Sequence, residues 1–539
     1  MRRIASAAGV RSFSKIGGVP YAQAFARVLF GGDDPGPWTL LAFGVALFLL
    51  AATLPGCGSQ ASVAPPIERF QQYEPVGDAP LAPVPGGSDE PSLLPVAYEA
   101  NVPVMLAAEE LNIGLGPEPI EPAQSIVALE KETGRIAWRR QRDGDHAYST
   151  PLVVEMDGVA QIVSVSGRGV ASYDPDTGRE LWWCRHHGHT VVPRPVFGHG
   201  MVYFCTGYEA PSLIAIDPTG EYDISESHVR WQAEKGVPFN ASPLLIGTQL
   251  FLMGDRGVLT CYDAILGTLS WQHRLSGNFS SSPIEVDGLV LAVNDDGVAS
   301  VIQPGDEFEL IATNVIDAPV QASPAVSGKS LFLRTESHLY RIAATTDDGD
   351  APLDWPQFRG PTGDGNAGRR DMQLRWSESR NVVWKTAIAG RGWSSPVIAG
   401  DQVWLTTALE ESDGAVSLRA VCINRTTGET QHDIEILRKQ SPEPMHPRNS
   451  HATPTPVIDG DRVYIHFGAH ATACVSTDGR LLWRTRIPYH HYHGPAGSPI
   501  VCGNLVVINC DGYDGPYDRE SDQRVNHADS LSDDRTTDE

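Results

Sequence analysis

The side chains best suited to binding occur in polar segments that precede or separate short apolar stretches. Arginine, histidine and amide groups predominate there, with aromatic residues among them. Such hydrogen-bond donors suit an anionic or hydroxylated ligand, and a solvated polar surface with no specific ligand is the alternative. The candidate ligand-binding residues are His146, His189, Arg194, Tyr208, Arg334, Glu336, Arg391, Trp393, Asn449, His451, His493 and Asp511. The same segments contain Tyr148, His187, Glu209, Asn240, Asn278, Gln321, Arg448 and His491.

Histidine is dense at two places, His186 to His189 and His490 to His493. Imidazole is the commonest transition-metal ligand, but close spacing on one loop does not define a coordination sphere. No supporting carboxylate can be assigned from the sequence, so we predict no metal site. No Gly-x-Ser-x-Gly segment occurs, which argues against a serine hydrolase of that type, and we predict no catalytic residue.

A repeat organises the elements that must position these residues. The stretch Val127 to Trp138 contains Thr-Gly between a short apolar strand and a Trp, and it recurs from Ala171 to Trp182. Asp and Thr side chains can hydrogen-bond a turn backbone, while Gly adopts a positive φ. We expect each indole to dock on the next repeat. The docking residues are Trp138, Trp182, Trp231, Trp271, Trp384 and Trp483.

A second marker is a Ser, Thr or Arg followed by Pro, directly before a short apolar strand. The prolines are Pro151, Pro195, Pro243, Pro283, Pro324, Pro396, Pro456 and Pro499. Most are about 40 to 50 residues apart, the length of one four-stranded propeller blade. The sequence therefore predicts an all-β fold, a propeller of about eight four-stranded antiparallel blades, with the polar loops gathered at one mouth of its channel.

Composition agrees with this class and excludes others. The chain has 53 Gly and 41 Pro among 539 residues, which favours short strands and tight turns. A formal net charge of −25 argues against a nucleic-acid partner, because phosphates are bound through clustered Lys and Arg. No Cys-x-x-Cys occurs, and Cys261, Cys422 and Cys474 lie in strand-like stretches as small apolar residues.

The pattern Ala-x-Asp-x-x-Thr-Gly-x-x-x-Trp resembles the tryptophan-docking repeat of the pyrroloquinoline-quinone (PQQ) dehydrogenase-like propellers. That group also contains outer-membrane assembly lipoprotein B. Three further segments, at Trp355 to Pro361, Gly392 to Pro396 and Asn449 to Pro456, are similar to bacterial PQQ-like repeat proteins. The resemblance covers about residues 125–345 and 355–515.

In those relatives the Trp-Pro-Gln-Phe-Arg-Gly segment opens the propeller, whereas here it follows five of the proline marks. We therefore expect a circularly permuted order, with residues 344–354 linking the usual ends. One blade would combine Ser125 to Arg140 with Gly497 to Cys510, which closes the ring and removes sheet edges. A gene joining two tandem copies is the alternative explanation of the order.

The resemblance implies two functions. The favoured one is a non-catalytic scaffold that binds a protein or small ligand at the channel mouth, in envelope or outer-membrane protein assembly and without a cofactor. The alternative is a PQQ- and calcium-dependent dehydrogenase. Such an enzyme needs a calcium held by carboxylate and amide oxygens, a catalytic Asp and usually a Cys-Cys pair; that pair is missing from this sequence.

The first 57 residues predict export and a membrane tether. A basic leader precedes an apolar stretch from Trp38 to Leu54, and Leu54 to Cys57 resembles a lipobox in which Cys57 would be lipidated. An uncleaved anchor is the alternative, and both place the remainder outside the cytoplasm. The expected divisions are 1–57 leader and anchor, 58–120 Pro-rich disordered tether, 121–345 first blades, 346–517 remaining blades, and 518–539 disordered acidic tail.

Overall fold

A computed structural model describes residues 124–156, 158–344, 353–443, 445–491 and 493–512. The predicted leader, tether and acidic tail lie outside these residues. Within them every regular element is a β-strand. Thus no described residue belongs to a helix of the length and apolarity that a bilayer span requires.

The strands form eight antiparallel four-stranded sheets arranged as the blades of a propeller, which confirms the predicted fold class. The chain begins with β1 (Gln124–Glu130) and β2 (Ile136–Gln141), the outer half of blade 8. Blade 1 contains β3 (Leu152–Met156), β4 (Val159–Ser166), β5 (Gly169–Tyr173) and β6 (Glu180–Arg185). Blade 2 contains β7 (Val196–Gly198), β8 (Met201–Cys205), β9 (Leu213–Ile216) and β11 (Val229–Ala233), and its short β10 (Tyr222–Asp223) pairs with β6 of blade 1.

The next three blades follow the same order from the channel outward. Blade 3 contains β12 (Leu244–Ile246), β13 (Gln249–Met253), β14 (Val258–Asp263) and β15 (Leu269–Arg274). Blade 4 contains β16 (Ile284–Val286), β17 (Leu289–Val293), β18 (Val298–Gln303) and β19 (Glu309–Val315). Blade 5 contains β20 (Ala325–Ser327), β21 (Ser330–Arg334), β22 (His338–Ile342) and β23 (Val382–Ala387).

The remaining strands complete the ring. Blade 6 contains β24 (Val397–Ala399), β25 (Gln402–Glu410), β26 (Val416–Asn424) and β27 (Thr430–Lys439). Blade 7 contains β28 (Val457–Asp459), β29 (Arg462–His466), β30 (Thr472–Ser476) and β31 (Leu481–Thr485). The final strands, β32 (Ile500–Cys502) and β33 (Leu505–Asp511), form the inner half of blade 8.

Blade 8 joins the two ends of the described chain. Its strand order is β2-β1-β33-β32, and β1 pairs antiparallel with β33 from Gln124 opposite Asp511 to Glu130 opposite Leu505. The expected two-ended blade is thus confirmed. The pairing removes the open edges that would otherwise remain at the point of closure. The permuted gene order itself remains a hypothesis.

The turn before each outer strand shows why the repeat carries Asp, Thr and Gly. In blade 1, Asp174 accepts hydrogen bonds from the Thr177 backbone N–H and hydroxyl at 2.9 and 2.7 Å. Gly178 has φ 65°, and a Cβ at that position would lie 2.5 Å from the Trp138 ring of the preceding blade. Glycine is therefore required both by the backbone and by the docked indole.

Five of the six predicted docking tryptophans donate Nε1–H to a carbonyl in the next blade. The pairs are Trp138 with Pro175, Trp231 with Ala264, Trp271 with Gly305, Trp384 with Arg425 and Trp483 with Lys131, all at 2.9 to 3.0 Å. Trp182 departs from the prediction, because its indole donates to Gln161 within its own blade. There β10 of blade 2 pairs with the outer strand that carries Trp182.

Residues 353–368, which we call the channel segment, lie between β22 and β23 in the chain and cross the centre of the ring. Trp355 exchanges backbone hydrogen bonds with Ile398 of blade 6, and Pro356 accepts one from Ile458 of blade 7. On the opposite side, Glu285 of blade 4 bonds the backbone of Gly365 and Ala367. The Trp-Pro-Gln-Phe-Arg-Gly segment, which opens the propeller in the proteins that this sequence resembles, thus spans the channel here.

Arg359 fixes this crossing. Its guanidinium donates to the carbonyls of Ser242, Pro243 and Pro283, at 2.8 to 3.3 Å, on blades 3 and 4. Its side chain is fully buried, and burial lowers its pKa to about 9, so that it stays charged at neutral pH. Arg194 of blade 2 donates to the Phe358 carbonyl at 2.8 Å.

Candidate functional site

The channel segment leaves a bowl of about 330 Å³ at one mouth of the ring. Phe358 contributes apolar surface from the segment, and residues of all eight blades form the remaining wall. The volume lies at the small end of the range for ligand pockets. The bowl can therefore receive a small compound or a few side chains of a partner.

A ring of Ser and Thr hydroxyls lines the bowl and links neighbouring blades through hydrogen bonds. These residues directly precede the repeated prolines, where Arg194 replaces the hydroxyl residue in blade 2. The hydroxyl oxygens accept N–H bonds of 2.9 to 3.0 Å from the equivalent residue of the adjoining blade. The donor and acceptor pairs are Arg194 to Ser242, Ser242 to Ser282, Ser282 to Ser323, Ser395 to Thr455, Thr455 to Ser498 and Ser498 to Thr150.

This arrangement sets the chemical character of the bowl. A hydroxyl has one proton to donate, and its oxygen here already accepts a backbone N–H. Among the described residues, none of the hydroxyls that accept these bonds donates to a protein acceptor in return. Their protons are available to a group in the channel. The described residues that line the bowl also include no Asp, Glu or Cys, so its wall is rich in donors and poor in acceptors.

Four of the predicted site residues line the bowl: Tyr208, Trp393, Asn449 and His493. From the wider set, Tyr148, Asn240, Gln321 and Arg448 line it as well. Asn449 is used structurally, because its amide donates to the carbonyls of His493 and Pro495 while its oxygen accepts from Ser450 and Thr453. Trp393 is 7 % exposed and presents an apolar face, and Arg448 is an exposed cation at the rim.

Two acidic residues stand behind the lining. Asp255 accepts the Phe239 backbone N–H and the Asn240 amide, and Asp295 accepts the Ser280 backbone N–H. Burial raises the pKa of both carboxyls. Their oxygens hold the loops that form the wall, rather than facing a ligand.

His146 and His189 adjoin the bowl through Thr190, which lines it. The Thr190 hydroxyl is 2.7 Å from both His146 Nε2 and His189 Nδ1. Arg391 lies at the rim, where it donates to the Pro447 carbonyl at 2.7 Å and faces the Trp393 ring. Glu336 is exposed, and its backbone N–H bonds Pro319.

The other predicted residues lie outside the bowl. Arg194 is buried beneath it, and Arg334 is buried behind Trp393, where it donates to the Ser394 carbonyl and hydroxyl. Burial lowers the pKa of Arg334 to about 9. Asp511 is buried in an ion pair with Arg142 at the junction of the chain ends. Each of these charged groups has a protein partner, although Arg194 Nε, Arg334 Nε, Arg334 Nη2 and Asp511 Oδ1 are buried without a hydrogen-bond partner among the described residues.

His451 belongs to a separate buried histidine cluster on blade 7. Its ring centroid is 5.3 Å from that of His470, which is 5.1 Å from that of His491. Glu443 lies 3.0 Å from His470 and also binds Lys439. Burial lowers the pKa of His451 to about 4 and that of His491 to about 3. No set of three or more His, Cys, Asp or Glu within the described ranges is arranged to hold a metal ion.

The sequence analysis missed the hydroxyl ring, Thr190 and His446, all of which line the bowl. The ring did leave a signal, because Ser or Thr precedes seven of the eight repeated prolines. Thr190 left none, since its role depends on two histidines that only the folded loops bring together.

The eight blades form a ring that strands from both ends of the described chain close, and five of the blades dock a tryptophan on the next one. The protein is thus a tryptophan-docked propeller with a bowl at its channel mouth. A family model described as outer membrane protein assembly factor BamB matches residues 120–252, 221–307 and 374–526. The chain belongs to that family, which confirms the resemblance inferred from the repeats.

A comparison with solved structures finds similar chains at low identity. BamB from Moraxella catarrhalis is 14 % identical, with a TM-score of 0.45, 70 % of this chain covered and 98 % of that one. The computationally designed Ika8 protein is 11 % identical, with a TM-score of 0.44 and coverage of 68 % and 97 %. Quinohemoprotein alcohol dehydrogenase from Comamonas testosteroni is 11 % identical, with a TM-score of 0.46 and coverage of 74 % and 78 %. No curated protein matches this chain.

Proposed function

We propose that the protein is an extracytoplasmic binding scaffold whose bowl receives an acceptor-rich group of a protein partner or a small ligand. The observation that carries this proposal is the hydroxyl ring, which lines the bowl and whose oxygens accept backbone N–H groups, so that each hydroxyl proton is left to donate to a ligand. Carboxylates, phosphates and sugar hydroxyls are the acceptors that such a wall complements.

Charge and aromatic surface support the same class of ligand. Arg448 at the rim supplies positive charge, the buried guanidinium of Arg194 donates to the channel segment at Phe358, and Arg359 is itself part of that segment. Tyr148, Tyr208 and Trp393 add flat apolar surface. A carboxylate entering the bowl would meet donors and cations, and no lining carboxylate would repel it.

The residue types favour a function without PQQ and calcium. A protein-bound calcium takes carboxylate and carbonyl oxygens, and no carboxylate is among the described residues lining the bowl. Asp255 and Asp295 are the nearby acids, and backbone N–H groups already bind their oxygens. The described lining of the bowl therefore favours a ligand other than a calcium-bound quinone.

The family description suggests a role in outer-membrane protein assembly, in which the partner would be a polypeptide. Such a partner could insert an acidic side chain or a chain terminus into the bowl. The proposed location, membrane-tethered in the periplasm or cell envelope, rests on the N-terminal sequence from Arg2 to Cys57. If Cys57 is lipidated, the Cys57→Ala variant will no longer incorporate labelled palmitate. If the segment is instead an uncleaved anchor, Cys57→Ala will partition into membranes as the wild type does.

Ligand binding can be tested through the melting temperature, because a ligand specific for the folded state must raise it. The detergent-solubilised chain would be titrated with N-acetylaspartate, its uncharged analogue N-acetylasparagine, inorganic phosphate, and PQQ with calcium. We expect a saturable rise with the anions that is lost in Arg448→Gln and retained in Arg369→Gln, which changes an exposed arginine outside the bowl.

Two outcomes would contradict the proposal. In the first, every anion raises the melting temperature of Arg448→Gln as much as that of the wild type, or raises neither. The other is a saturable response to PQQ with calcium alone, which would restore the dehydrogenase alternative. A photoreactive residue at exposed Asn240, compared with one at Arg369, would then show whether the occupant in cells is a polypeptide.

A further inference from the structure

A closed cycle of six side chains lies at the wall of the bowl. Thr190 Oγ1 is 2.7 Å from His146 Nε2 and 2.7 Å from His189 Nδ1. The far nitrogens of these rings face carboxylates, His146 Nδ1 at 3.5 Å from Asp145 and His189 Nε2 at 3.6 Å from Glu209. Arg168 closes the cycle by binding Asp145 at 3.1 Å and Glu209 at 3.5 Å.

The backbone holds this cycle in place. Thr190 donates its N–H to the His146 carbonyl at 3.0 Å, and His189 exchanges two backbone hydrogen bonds with Tyr208. Thr190 has φ 56°, a region that a β-branched residue rarely adopts. Such strain costs about 1 to 3 kcal/mol and persists only where the surrounding structure imposes it, commonly at functional sites.

The hydrogen bonds give the two histidines different roles. The Thr190 hydroxyl has one proton, so it can donate to only one imidazole, and the other must donate to its oxygen. His146 is buried, and burial lowers its pKa to about 4, so its imidazole is neutral at pH 7. With Nδ1–H directed to Asp145, the Nε2 lone pair of His146 is placed to accept the Thr190 proton.

We propose that Thr190 is a catalytic nucleophile that hydrolyses small esters bound in the bowl, with His146 as general base. Carboxylate, imidazole and hydroxyl in sequence are the groups that activate an alcohol for acyl transfer. Thr190 is accessible, because it lines the bowl and is partly exposed. This inference departs from the expectation of a non-catalytic protein and goes beyond the binding role.

The reaction would have two steps. Thr190 Oγ1 forms a bond to the ester carbonyl carbon while its proton moves to His146 Nε2; the carbon–oxygen bond to the alcohol then breaks, and that proton leaves with the alcohol. Water attacks the acyl-threonine with His146 again as base, releasing a carboxylic acid and the free hydroxyl. The acid product is the kind of anion that the bowl is proposed to bind.

Burst kinetics with p-nitrophenyl acetate would test the inference on the full chain. We expect one acetyl group per chain, mapped by peptide mass spectrometry to Thr190, absent in Thr190→Ala and present in Thr190→Ser. Loss of the general base in His146→Gln should slow acylation about 100-fold or more. The matched control is His187→Gln, an exposed histidine on the same loop.

Melting temperatures would confirm that each variant is folded. An acetyl group on His146, His189 or any other residue, or acylation of Thr190→Ala at the wild-type rate, would overturn the inference. Anion binding is measured separately, through the rise in melting temperature that Arg448→Gln is expected to lose, whereas acylation is measured through Thr190→Ala and Thr190→Ser. If Thr190 is not acylated but anions still raise the melting temperature, only the catalytic inference is wrong. If anions do not raise it but Thr190 is acylated, only the binding proposal is wrong.

Discussion

Arg142 and Asp511 form a buried ion pair although 369 positions separate them in the chain. Arg142 directly follows β2, and Asp511 ends β33, so the pair joins the two halves of blade 8. Arg142 also donates to Ser164, whose hydroxyl donates to Asn509 at 2.8 Å. The closure of the ring is thus fixed by side chains as well as by strand pairing.

Breaking this pair should destabilise the ring. Asp511→Asn leaves the Arg142 guanidinium buried without its counter-charge, for which we expect a loss of about 3 to 5 kcal/mol in the free energy of unfolding. The control is Glu130→Gln, which removes an exposed partner of Arg135 and should cost less than about 1 kcal/mol. Urea titration measures both, and equal small effects would show that strand pairing alone closes blade 8.

The hydroxyl ring should contribute to stability one hydrogen bond at a time. Ser498→Ala removes the acceptor of the Thr455 N–H, and an unsatisfied buried donor costs about 1 to 3 kcal/mol. Ser395→Ala is the matched control, because the Ser395 hydroxyl accepts none of the ring bonds described above. If the two variants unfold at the same urea concentration, the ring bonds add nothing to stability.

The channel segment should depend on Arg359. Arg359→Met deprives the carbonyls of Ser242, Pro243 and Pro283 of their donor, and we expect a loss of at least about 3 kcal/mol. Limited proteolysis should cut residues 353–368 in the variant and spare them in the wild type. Arg369→Met, at an exposed position, should match the wild type in both measurements. Resistance of Arg359→Met to proteolysis would contradict this role.

The buried histidines predict a loss of stability in acid. Burial lowers the pKa of His466 and His491 to about 3, whereas an unfolded histidine has a pKa of about 6.5. The unfolded state therefore binds more protons below pH 6.5, and stability falls as the pH drops toward 3. Each such histidine contributes about 2 kcal/mol of loss by pH 5.

A pH series of urea titrations in wild type and His466→Gln would measure this effect. The variant removes one depressed pKa, so its stability should depend less steeply on pH between 6.5 and 4. His187→Gln changes an exposed histidine and should retain the wild-type slope. Parallel slopes in the wild type and His466→Gln would show that this imidazole does not govern acid unfolding.

The repeats alone predicted the blades and the docking tryptophans, whereas the two-ended closure was predicted from the family resemblance, through the displaced position of the Trp355 to Pro361 segment. Local rules suffice for the blades and the tryptophans, because a strand period, a Thr-Gly turn and an indole recur at fixed spacing along the chain. Trp182 was the exception, since the segment that adds β10 to β6 comes from blade 2 and leaves no local mark at Trp182 itself.

Sequence by itself predicted that the polar loops meet at one mouth, and Tyr208, Trp393, Asn449 and His493 do line one bowl, while their role in ligand binding stays a prediction. Only the tertiary structure decided which polar groups remain available. Arg334 and Asp511 were equally good candidates by residue type, but the fold buries both side chains outside the bowl, where Arg334 binds Ser394 and Asp511 pairs with Arg142. Thr190 looked ordinary until the fold placed two imidazoles on its hydroxyl. Burial and pairing depend on contacts between residues far apart in the chain, and local sequence does not encode those contacts.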